Sequence, residues 1–249
     1  MKKALILAAG IGKRLGELTR DIPKCLLPVG SKTLLDYSLE AISGNDFEQV
    51  TIITGFAEKK LKEHIKKWER SLAFKLIYND KFADYNNIYS AYLAKDIWDD
   101  ETILFNSDII FHPLILKDLV SNIKENSNKS YLVIDDTKIL IAEDMKVKIN
   151  SLGEIKEINK GLDIKTSYGE YIGVTYSRGK ERENFLESLE LNVKNKNLDI
   201  YYEDALAHVL DKISVFPYST KSRLWTEVDT KEDYELAKRI ASEIKINAL

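Results

Sequence analysis

Short apolar runs alternate with amphipathic stretches through the first half of the chain. Residues 4–9 are apolar at consecutive positions, which is typical of a strand in a parallel sheet covered on both faces. Similar runs predict strands at 50–54, 74–78 and 102–105. Residues 57–69 instead carry apolar side chains on one helical face, which predicts a surface helix. This alternation of strand and helix predicts βαβ units and a mostly parallel sheet.

The second half of the chain has a different pattern. Short strands are predicted at 131–134, 145–149, 155–158 and 171–176, separated by polar residues instead of long helices. They indicate antiparallel additions to the parallel sheet. The last helix is predicted by a capping box, in which Thr230 is followed three residues later by Asp233.

The charge balance limits the classes of partner. The chain has 249 residues, with 37 Lys and Arg against 40 Asp and Glu, so its net charge is −3 at pH 7. No basic excess is present to neutralise a nucleic-acid backbone, although a few cations around one phosphorylated ligand are compatible with this balance. No run of 18 apolar residues suggests a membrane span, and we expect a cytoplasmic protein without membrane or nucleic-acid partners.

The cysteine and histidine content excludes further classes of site. Cys25 is the only cysteine, so an intrachain disulfide and a cysteine-based zinc site are excluded. The three histidines are scattered, which excludes an HExxH metal site. The apolar run that follows Lys2 and Lys3 stops after six residues at Gly10, which is too short for a secretory signal.

A glycine-containing segment follows directly from the first predicted strand. Gly10 and Gly12 allow backbone amides to approach a ligand, and Lys13 and Arg14 supply positive charge for phosphate oxygens. A dinucleotide-binding loop would need glycine where Leu15 stands, and a Walker motif is absent. On its own, this segment is also compatible with an ordinary turn.

A second segment makes the pattern specific. Lys24 lies between Pro23 and Pro28, which hold it in a stiff stretch of chain. Together, Leu-Ala-Ala-Gly-x-Gly-x-Arg-Leu and Pro-Lys-x-Leu-x-x-Val resemble the signature of the nucleotidyltransferases that make sugar nucleotides and related activated head groups. The resemblance implies an α/β fold, a three-layer α/β/α sandwich with a mixed, mostly parallel sheet, of the Rossmann-like nucleotide-diphospho-sugar transferase type. We expect one domain over residues 1–249, with a nucleotide-binding half at 1–110 and an acceptor-binding half at 111–249.

The same resemblance implies roles for the matching positions. Arg14 would bind the triphosphate and the departing pyrophosphate, and Lys24 would stabilise charge on the α-phosphate. Lys13 replaces a frequent Thr or Ser, so its role stays open, with a solvated side chain as the alternative. The nucleotide would be bound by Leu7, Ala8, Ala9, Gly10, Gly12, Lys13 and Arg14, together with Asn86, Asn87 and Ser90.

A magnesium site is implied by two acidic positions. Asp108 follows the fourth predicted strand, and ligand sites in open α/β sheets lie at such strand ends. The family's metal-binding aspartate occupies a matching place, and Asp229 matches its usual partner. Two carboxylates and a triphosphate are suitable ligands for Mg²⁺. The alternatives are that Asp108 belongs to a turn and that Asp229 only helps to cap the last helix.

Three further stretches favour one branch of the family. Residues 86–94, 201–206 and 225–229 resemble the cytidylyltransferases that act on phosphocholine and similar phosphorylated amino-alcohols or phosphonates. Sugar-specific members usually carry Gly-Thr where Asn86 and Asn87 stand, a departure that weakens the sugar alternative without excluding it.

Aromatic and acidic residues in the second half suit a cationic acceptor, because aromatic faces and carboxylates bind quaternary ammonium groups. Most of these aromatic residues are expected to pack in strands, so only two or three of them should touch a ligand. The adjacent acids Glu203 and Asp204 are the best candidates, since burying them without a cation is costly. The full predicted acceptor set is Glu170, Tyr171, Tyr202, Glu203, Asp204 and Trp225.

We therefore expect a magnesium-dependent enzyme that joins CTP to a small phosphorylated acceptor and releases pyrophosphate. The alternatives are a nucleotidyltransferase acting on a sugar 1-phosphate or an inositol phosphate, a nucleotide-binding regulatory subunit, and a metal-dependent glycosyltransferase. The oligomeric state stays open, with a homodimer as one candidate.

Overall fold

A mixed β-sheet lies at the centre of the protein. The computed structural model describes residues 2–126 and 128–247. Its strands are β1 (Lys2–Ala8), β2 (Pro28–Val29), β3 (Lys32–Thr33), β4 (Phe47–Thr54), β5 (Ala73–Tyr78), β6 (Thr102–Asn106), β7 (Ile109–Phe111), β8 (Ser130–Asp135), β9 (Lys146–Ile149), β10 (Ile155–Asn159), β11 (Gly169–Tyr176), β12 (Val215–Ser219) and β13 (Trp225–Glu227). Its helices are α1 (Leu34–Ser43), α2 (Glu58–Ile65), α3 (Asn87–Leu93), α4 (Pro113–Glu125), α5 (Gly179–Lys194), α6 (Tyr202–Ala207) and α7 (Lys231–Asn247).

The pairing of the strands confirms the predicted change of character between the two halves. In the first half, β1 lies between β4 and β6, β5 lies beyond β4, and all these pairs are parallel. In the second half, β11 pairs antiparallel with β6, with β8 and with β9, and β10 extends the sheet beyond β9. The sheet is therefore parallel at its centre, with antiparallel pairs around β11 and a parallel pair of β8 with β12 beyond them.

Apolar side chains of β1 point alternately to the two faces of the sheet. Ala4, Ile6 and Ala8 pack in the layer shared with α1, α2 and α4, whereas Leu5 and Leu7 pack in the layer shared with α3, α5 and α6. This alternation is expected of a strand, and it explains why a central strand covered by helices is apolar throughout. The three-layer α/β/α sandwich and its mostly parallel sheet are confirmed.

A third apolar cluster connects the glycine-containing segment to the last helix. Leu15 is fully buried there, together with Val228 and with Ala237 of α7. The predicted capping box begins this helix, since the Thr230 N–H donates to Asp233 at 2.8 Å and the Asp233 N–H donates to the Thr230 hydroxyl at 3.2 Å. Packing and capping thus place Arg14 and Asp229 on the same side of the molecule.

No helix within residues 2–126 and 128–247 combines the length and the apolar composition needed to cross a membrane.

One buried carboxylate connects α1 to α2 and the turn that follows. Asp36 accepts hydrogen bonds from the Thr33 N–H at 2.9 Å, the His64 imidazole at 2.9 Å, the Lys67 ammonium at 3.0 Å and the Trp68 indole at 2.8 Å. Burial alone would raise the pKa of Asp36, but these donors hold it well below its usual range. Several donors would lose their partner if this carboxylate were removed.

Replacing Asp36 by alanine is therefore expected to lower the free energy of unfolding by about 2–4 kcal/mol near neutral pH. Because the folded-state pKa of Asp36 is depressed, this contribution is lost as the pH falls below about 4. Urea denaturation followed by circular dichroism measures the loss. The matched control is Glu63→Ala, at an exposed acid of α2 that pairs with the exposed Lys66, which should change the free energy by less than about 0.5 kcal/mol. Equal losses for the two variants would contradict the assignment.

Candidate active site

A cavity of about 390 Å³ opens where the central parallel strands end. Its wall includes Leu7 and Ala9 at the end of β1, Asn79 after β5, and Asn106 and Asp108 at and beyond the end of β6. Ligands of open α/β sheets bind outside the carboxyl ends of the strands, so the cavity lies where this fold class places its sites.

The glycine-containing segment forms one wall of the cavity and packs directly on Lys24. Gly12 has a left-handed backbone, with φ +74°, and a Cβ atom there would lie 3.1 Å from the Cβ of Lys24. The Thr19 hydroxyl and the Leu15 N–H both donate to the Gly12 carbonyl, at 2.9 and 3.0 Å. Only glycine allows this turn and this close approach together, so the two sequence motifs meet as one structural unit.

Lys24 is held between two carboxylates. Its side chain is 10% exposed, and its ammonium lies 2.8 Å from Asp108 Oδ2 and 2.5 Å from Asp229 Oδ1. Burial alone would lower the pKa of Lys24, but the carboxylates of Asp108 and Asp229 raise it well above its usual value. Lys24 is therefore a permanent positive charge. The neighbouring Cys25 is not available as a nucleophile, because burial raises the pKa of its thiol to about 12.

Three acids converge beside Lys24. Asp108, Glu227 and Asp229 each contribute one oxygen to a set that lies within 4.8 Å of one another. Among the described residues, none is a hydrogen-bond partner of the buried Asp108 Oδ1 atom. Burial, followed by the charges of Asp108 and Asp229, raises the pKa of Glu227 to about 8. A converging set of carboxylate oxygens with one unpartnered atom fits a hard divalent cation such as Mg²⁺.

The sequence analysis had named Asp108 and Asp229 but had missed Glu227. β13 pairs antiparallel with β7, which sets Glu227 opposite Ile109, next to Asp108 in the chain. The available signal was spacing, since residues two apart in an extended strand share a face and Glu227 precedes Asp229 by two positions.

The predicted cations of the glycine-containing segment also lie on the cavity wall. Arg14 contacts Asp229 at 2.5 Å while 58% of its side chain stays exposed, and Lys13 lies beside it. Leu7, Ala9 and Gly10 are further wall residues. Ala8 is not part of the wall, because its side chain packs in the apolar layer beneath β1. Nucleotide contacts of these residues stay a prediction.

Asn86, Asn87 and Ser90 line the cavity from the start of α3. Asn86 caps this helix by accepting the Asn87 N–H at 2.7 Å. Asn87 accepts the backbone N–H of Tyr202 at 2.9 Å, and Ser90 accepts the Asn79 amide at 3.0 Å. These three residues therefore connect α3 to α6 and to the end of β5 as well as forming the wall.

Of the predicted acceptor residues, Tyr171 and Glu203 lie on the cavity wall, next to Tyr201. Glu203 is buried, and its Oε2 atom has no hydrogen-bond partner in the part of the chain that the structure describes. Burial raises the pKa of Glu203 to about 7, against the opposing effect of hydrogen bonds, the first of them from its own backbone N–H. A buried carboxylate oxygen without a partner suits a cationic ligand group.

The other four predicted acceptor residues lie off the wall and have protein partners. Glu170 pairs with Lys138, and the Trp225 indole donates to Asp135 at 2.7 Å. Tyr202 is fully buried and donates to Asn106. Asp204 accepts the N–H of Tyr201 at 2.8 Å as the cap of α6. The structure places these side chains behind the cavity wall, and contacts of these residues with an acceptor stay a prediction.

Lys160 is a further cation of the cavity wall, which the sequence motifs did not predict. It lines the cavity in the turn after β10, with its ammonium 5.7 Å from the centre of the Tyr201 ring. Its charge contributes to lowering the pKa of Asp229, and within residues 2–126 and 128–247 it forms no ion pair. No local motif marks this lysine, because its place depends on the β9–β10 hairpin.

Comparisons with known proteins identify chains that are similar to this one. Choline-phosphate cytidylyltransferase of Streptococcus pneumoniae is 25% identical over 246 residues, covering 96% of this chain and 97% of the relative. CTP:phosphoglutamine cytidylyltransferase of Campylobacter jejuni is 24% identical over 254 residues, covering 94% and 98%. The solved CTP:phosphocholine cytidylyltransferase from Streptococcus pneumoniae superposes with a TM-score of 0.79 at 23% identity, covering 97% of this chain and 100% of that one, and shows the same fold.

The family model described as nucleotidyl transferase matches residues 3–139, which include the glycine-containing segment, Lys24 and Asp108. Because this match spans more than half of the chain, the protein belongs to the nucleotidyl transferase family.

Proposed function

We propose that the protein is a CTP-dependent cytidylyltransferase whose acceptor is a small phosphate or phosphonate with a cationic head group, such as phosphocholine. One observation carries the proposal. A single cavity contains both the Lys24 ammonium, held by Asp108 and Asp229, and the unpartnered buried oxygen of Glu203 beside two tyrosines. Relatives named for cytidylyl transfer to choline phosphate and to phosphoglutamine support the same acceptor chemistry.

In the proposed reaction, a phosphate or phosphonate oxygen of the acceptor attacks the α-phosphorus of CTP. A new P–O–P bond forms, the bond between the α- and β-phosphates breaks, and pyrophosphate takes the electron pair. The chain contributes mainly position and charge, since phosphoryl transfer needs no covalent enzyme intermediate. Lys24 would neutralise charge at the α-phosphate, and the exposed guanidinium of Arg14 would bind the departing pyrophosphate.

Asp108, Asp229 and Glu227 would hold Mg²⁺, which supplies neutralisation and alignment of phosphate oxygens when bound. Lys24 lies against two of these acids, so the same carboxylates position the lysine. The glycine-containing segment shields Lys24 from solvent, which strengthens its interaction with a phosphate.

The acceptor head group would lie against Glu203, with Tyr171 and Tyr201 nearby. Lys160 lines the same region and has no carboxylate partner in the described chain, so it is available for the acceptor's phosphate oxygens. A cationic end and an anionic end of one small molecule would thus each meet the opposite charge.

The first test is the rate of pyrophosphate release with CTP and a panel of acceptors: phosphocholine, phosphoethanolamine, 2-aminoethylphosphonate, an inositol phosphate and glucose 1-phosphate. We expect kcat/KM for the best amino-alcohol or aminophosphonate acceptor to exceed that for glucose 1-phosphate by about tenfold or more, because only the former offer a cation to Glu203. UTP, ATP and dTTP are compared with CTP on the best acceptor. A preference for glucose 1-phosphate would favour a sugar nucleotidyltransferase, and CTP binding without turnover of any acceptor would favour a regulatory subunit.

The second test concerns Lys24. Lys24→Ala is expected to lower kcat by a factor of about 10²–10³, because a preorganised charge next to the reacting phosphate is lost. Lys24→Met retains the apolar stem and should lose as much. The matched control is Lys32→Ala, at a lysine that pairs with Glu40 outside the cavity, which should keep normal turnover. Thermal unfolding checks that each variant is folded, and near-normal turnover in a folded Lys24→Ala enzyme would refute the role.

The third test uses the pKa of Glu203, which lies at about 7. Protonation removes the negative charge, so KM for phosphocholine should rise by about tenfold as the pH falls from about 8 to 6. For Glu203→Gln, KM for phosphocholine should be high at every pH. Its remaining pH dependence should be the one caused by protonation of the phosphocholine phosphate. The control is Glu187→Gln on the exposed side of α5, which should keep the wild-type profile. Parallel profiles for wild type and Glu203→Gln would exclude Glu203 from head-group binding.

A further inference from the structure

A chain of buried hydroxyl groups ends at Asn106, the last residue of β6. The Tyr202 hydroxyl donates to Asn106 Oδ1 at 3.0 Å, the hydroxyls of Tyr202 and Tyr171 are 2.9 Å apart, and the Tyr171 hydroxyl lies 2.6 Å from Thr175 Oγ1. A carboxamide oxygen can only accept, so the Tyr202 hydroxyl is the donor in its hydrogen bond to Asn106. Tyr202 then accepts from Tyr171, which accepts from Thr175. The donor and the acceptor of every hydrogen bond in this row of hydroxyl groups are thereby determined.

This order of donors and acceptors determines which end of the Asn106 carboxamide is free. Its oxygen is occupied by Tyr202, and Asn106 lines the cavity. Among the residues that the structure describes, none accepts a hydrogen bond from Asn106 Nδ2. The free end that borders the cavity is therefore a donor.

The backbone of β11 makes room for this carboxamide. Gly173 has φ +86° at an irregularity in the pairing of β11, and a Cβ atom there would lie 2.7 Å from Asn106 Nδ2. Real Cβ atoms do not approach so closely, so glycine is required for the amide to lie against this strand. The Asn106 amide is thus confined on one side by Gly173 and on another by Tyr202.

The surroundings of Asn106 belong to the acceptor side of the cavity. Tyr171 and Gly173 lie on β11, and Tyr202 and Glu203 lie on α6. Asn106 also precedes Asp108 by two residues, so it lies between the head-group region and the reacting end of the site. An N–H donor at this point can bind an anionic oxygen of the ligand, whereas a carboxylate in the same place would repel that oxygen.

We infer that Asn106 is a specificity-determining residue that donates a hydrogen bond to a phosphate or phosphonate oxygen of the acceptor, and that Tyr202 is the positioning residue that orients its carboxamide. This inference rests on the proposed function, because it assumes an acceptor that presents such an oxygen.

The decisive variant is Asn106→Asp, which keeps the shape of the side chain and an oxygen for Tyr202 but replaces the donor by a carboxylate oxygen. We expect KM for the acceptor to rise by about tenfold or more, while KM for CTP stays within about twofold. A rise in KM for CTP alone, or no change in either constant, would overturn the inference.

The role of Tyr202 is tested by Tyr202→Phe, which lets the carboxamide rotate. KM for the acceptor should rise by about three- to tenfold, with KM for CTP within about twofold. The control is Thr175→Val, which removes the hydroxyl at the far end of the chain and should leave both constants within about twofold. Thermal unfolding is measured for all three variants. If Tyr202→Phe and Thr175→Val raise the acceptor KM equally, the effect is general loosening and the positioning role is refuted.

The proposed function and the present inference are tested by different measurements. The proposed function depends on which acceptors the wild type turns over, whereas the inference depends on how the variants change KM. The variants are assayed with whichever phosphorylated acceptor the wild type turns over best. A wild-type preference for glucose 1-phosphate would overturn the proposed head group, and Asn106→Asp would still decide the present inference. A wild type that turns over no acceptor would overturn both.

Discussion

The ion pairs of Lys24 with Asp108 and Asp229 are the interaction on which the rest of the site depends. They join a segment after β1, a segment after β6 and the segment before α7, which lie far apart in the sequence. A buried lysine without carboxylates, or buried carboxylates without a lysine, would carry an uncompensated charge at a cost of several kcal/mol, about 3–5. The chain can therefore bury these groups only together, and burying them together assembles the phosphate-handling end of the cavity.

The surrounding packing explains how this arrangement is maintained. Gly12 brings its backbone against the stem of Lys24, and Leu15 continues from there into the apolar cluster that includes Val228. The backbone N–H of Val228 in turn donates to the Asp108 carbonyl at 2.9 Å. Each charged residue thus lies close in sequence to a residue that is held by apolar packing or by a backbone hydrogen bond. This reduces the conformational freedom of the charged side chains before any ligand binds.

The acceptor side of the cavity is built from different interactions. It relies on hydroxyl and amide groups that are buried and paired, with Asn106 as the junction between β6, β11 and α6. In such a network every group has a fixed donor or acceptor role. The donors and acceptors that remain unpaired are therefore found at the cavity wall. The free oxygen of Glu203 and the free amide of Asn106 are the groups left over, one negative and one a donor.

The amino-acid sequence was enough to predict the local parts of this protein: the strand β1, the glycine-containing turn, the stiff Pro-Lys segment and the capped last helix. It also identified Asp108 and Asp229, through resemblance to a family signature. These features depend on residues close together in the chain, where periodicity, backbone conformation and capping act directly. The arrangement of the cavity depends on tertiary structure: Glu227, Lys160 and Asn106 lie on its wall, whereas Trp225, Tyr202, Glu170 and Asp204 lie behind it. The physical reason is that strand pairing and burial between distant segments set which face of a strand meets the cavity, and a one-residue change of register would reverse that outcome without altering the local pattern.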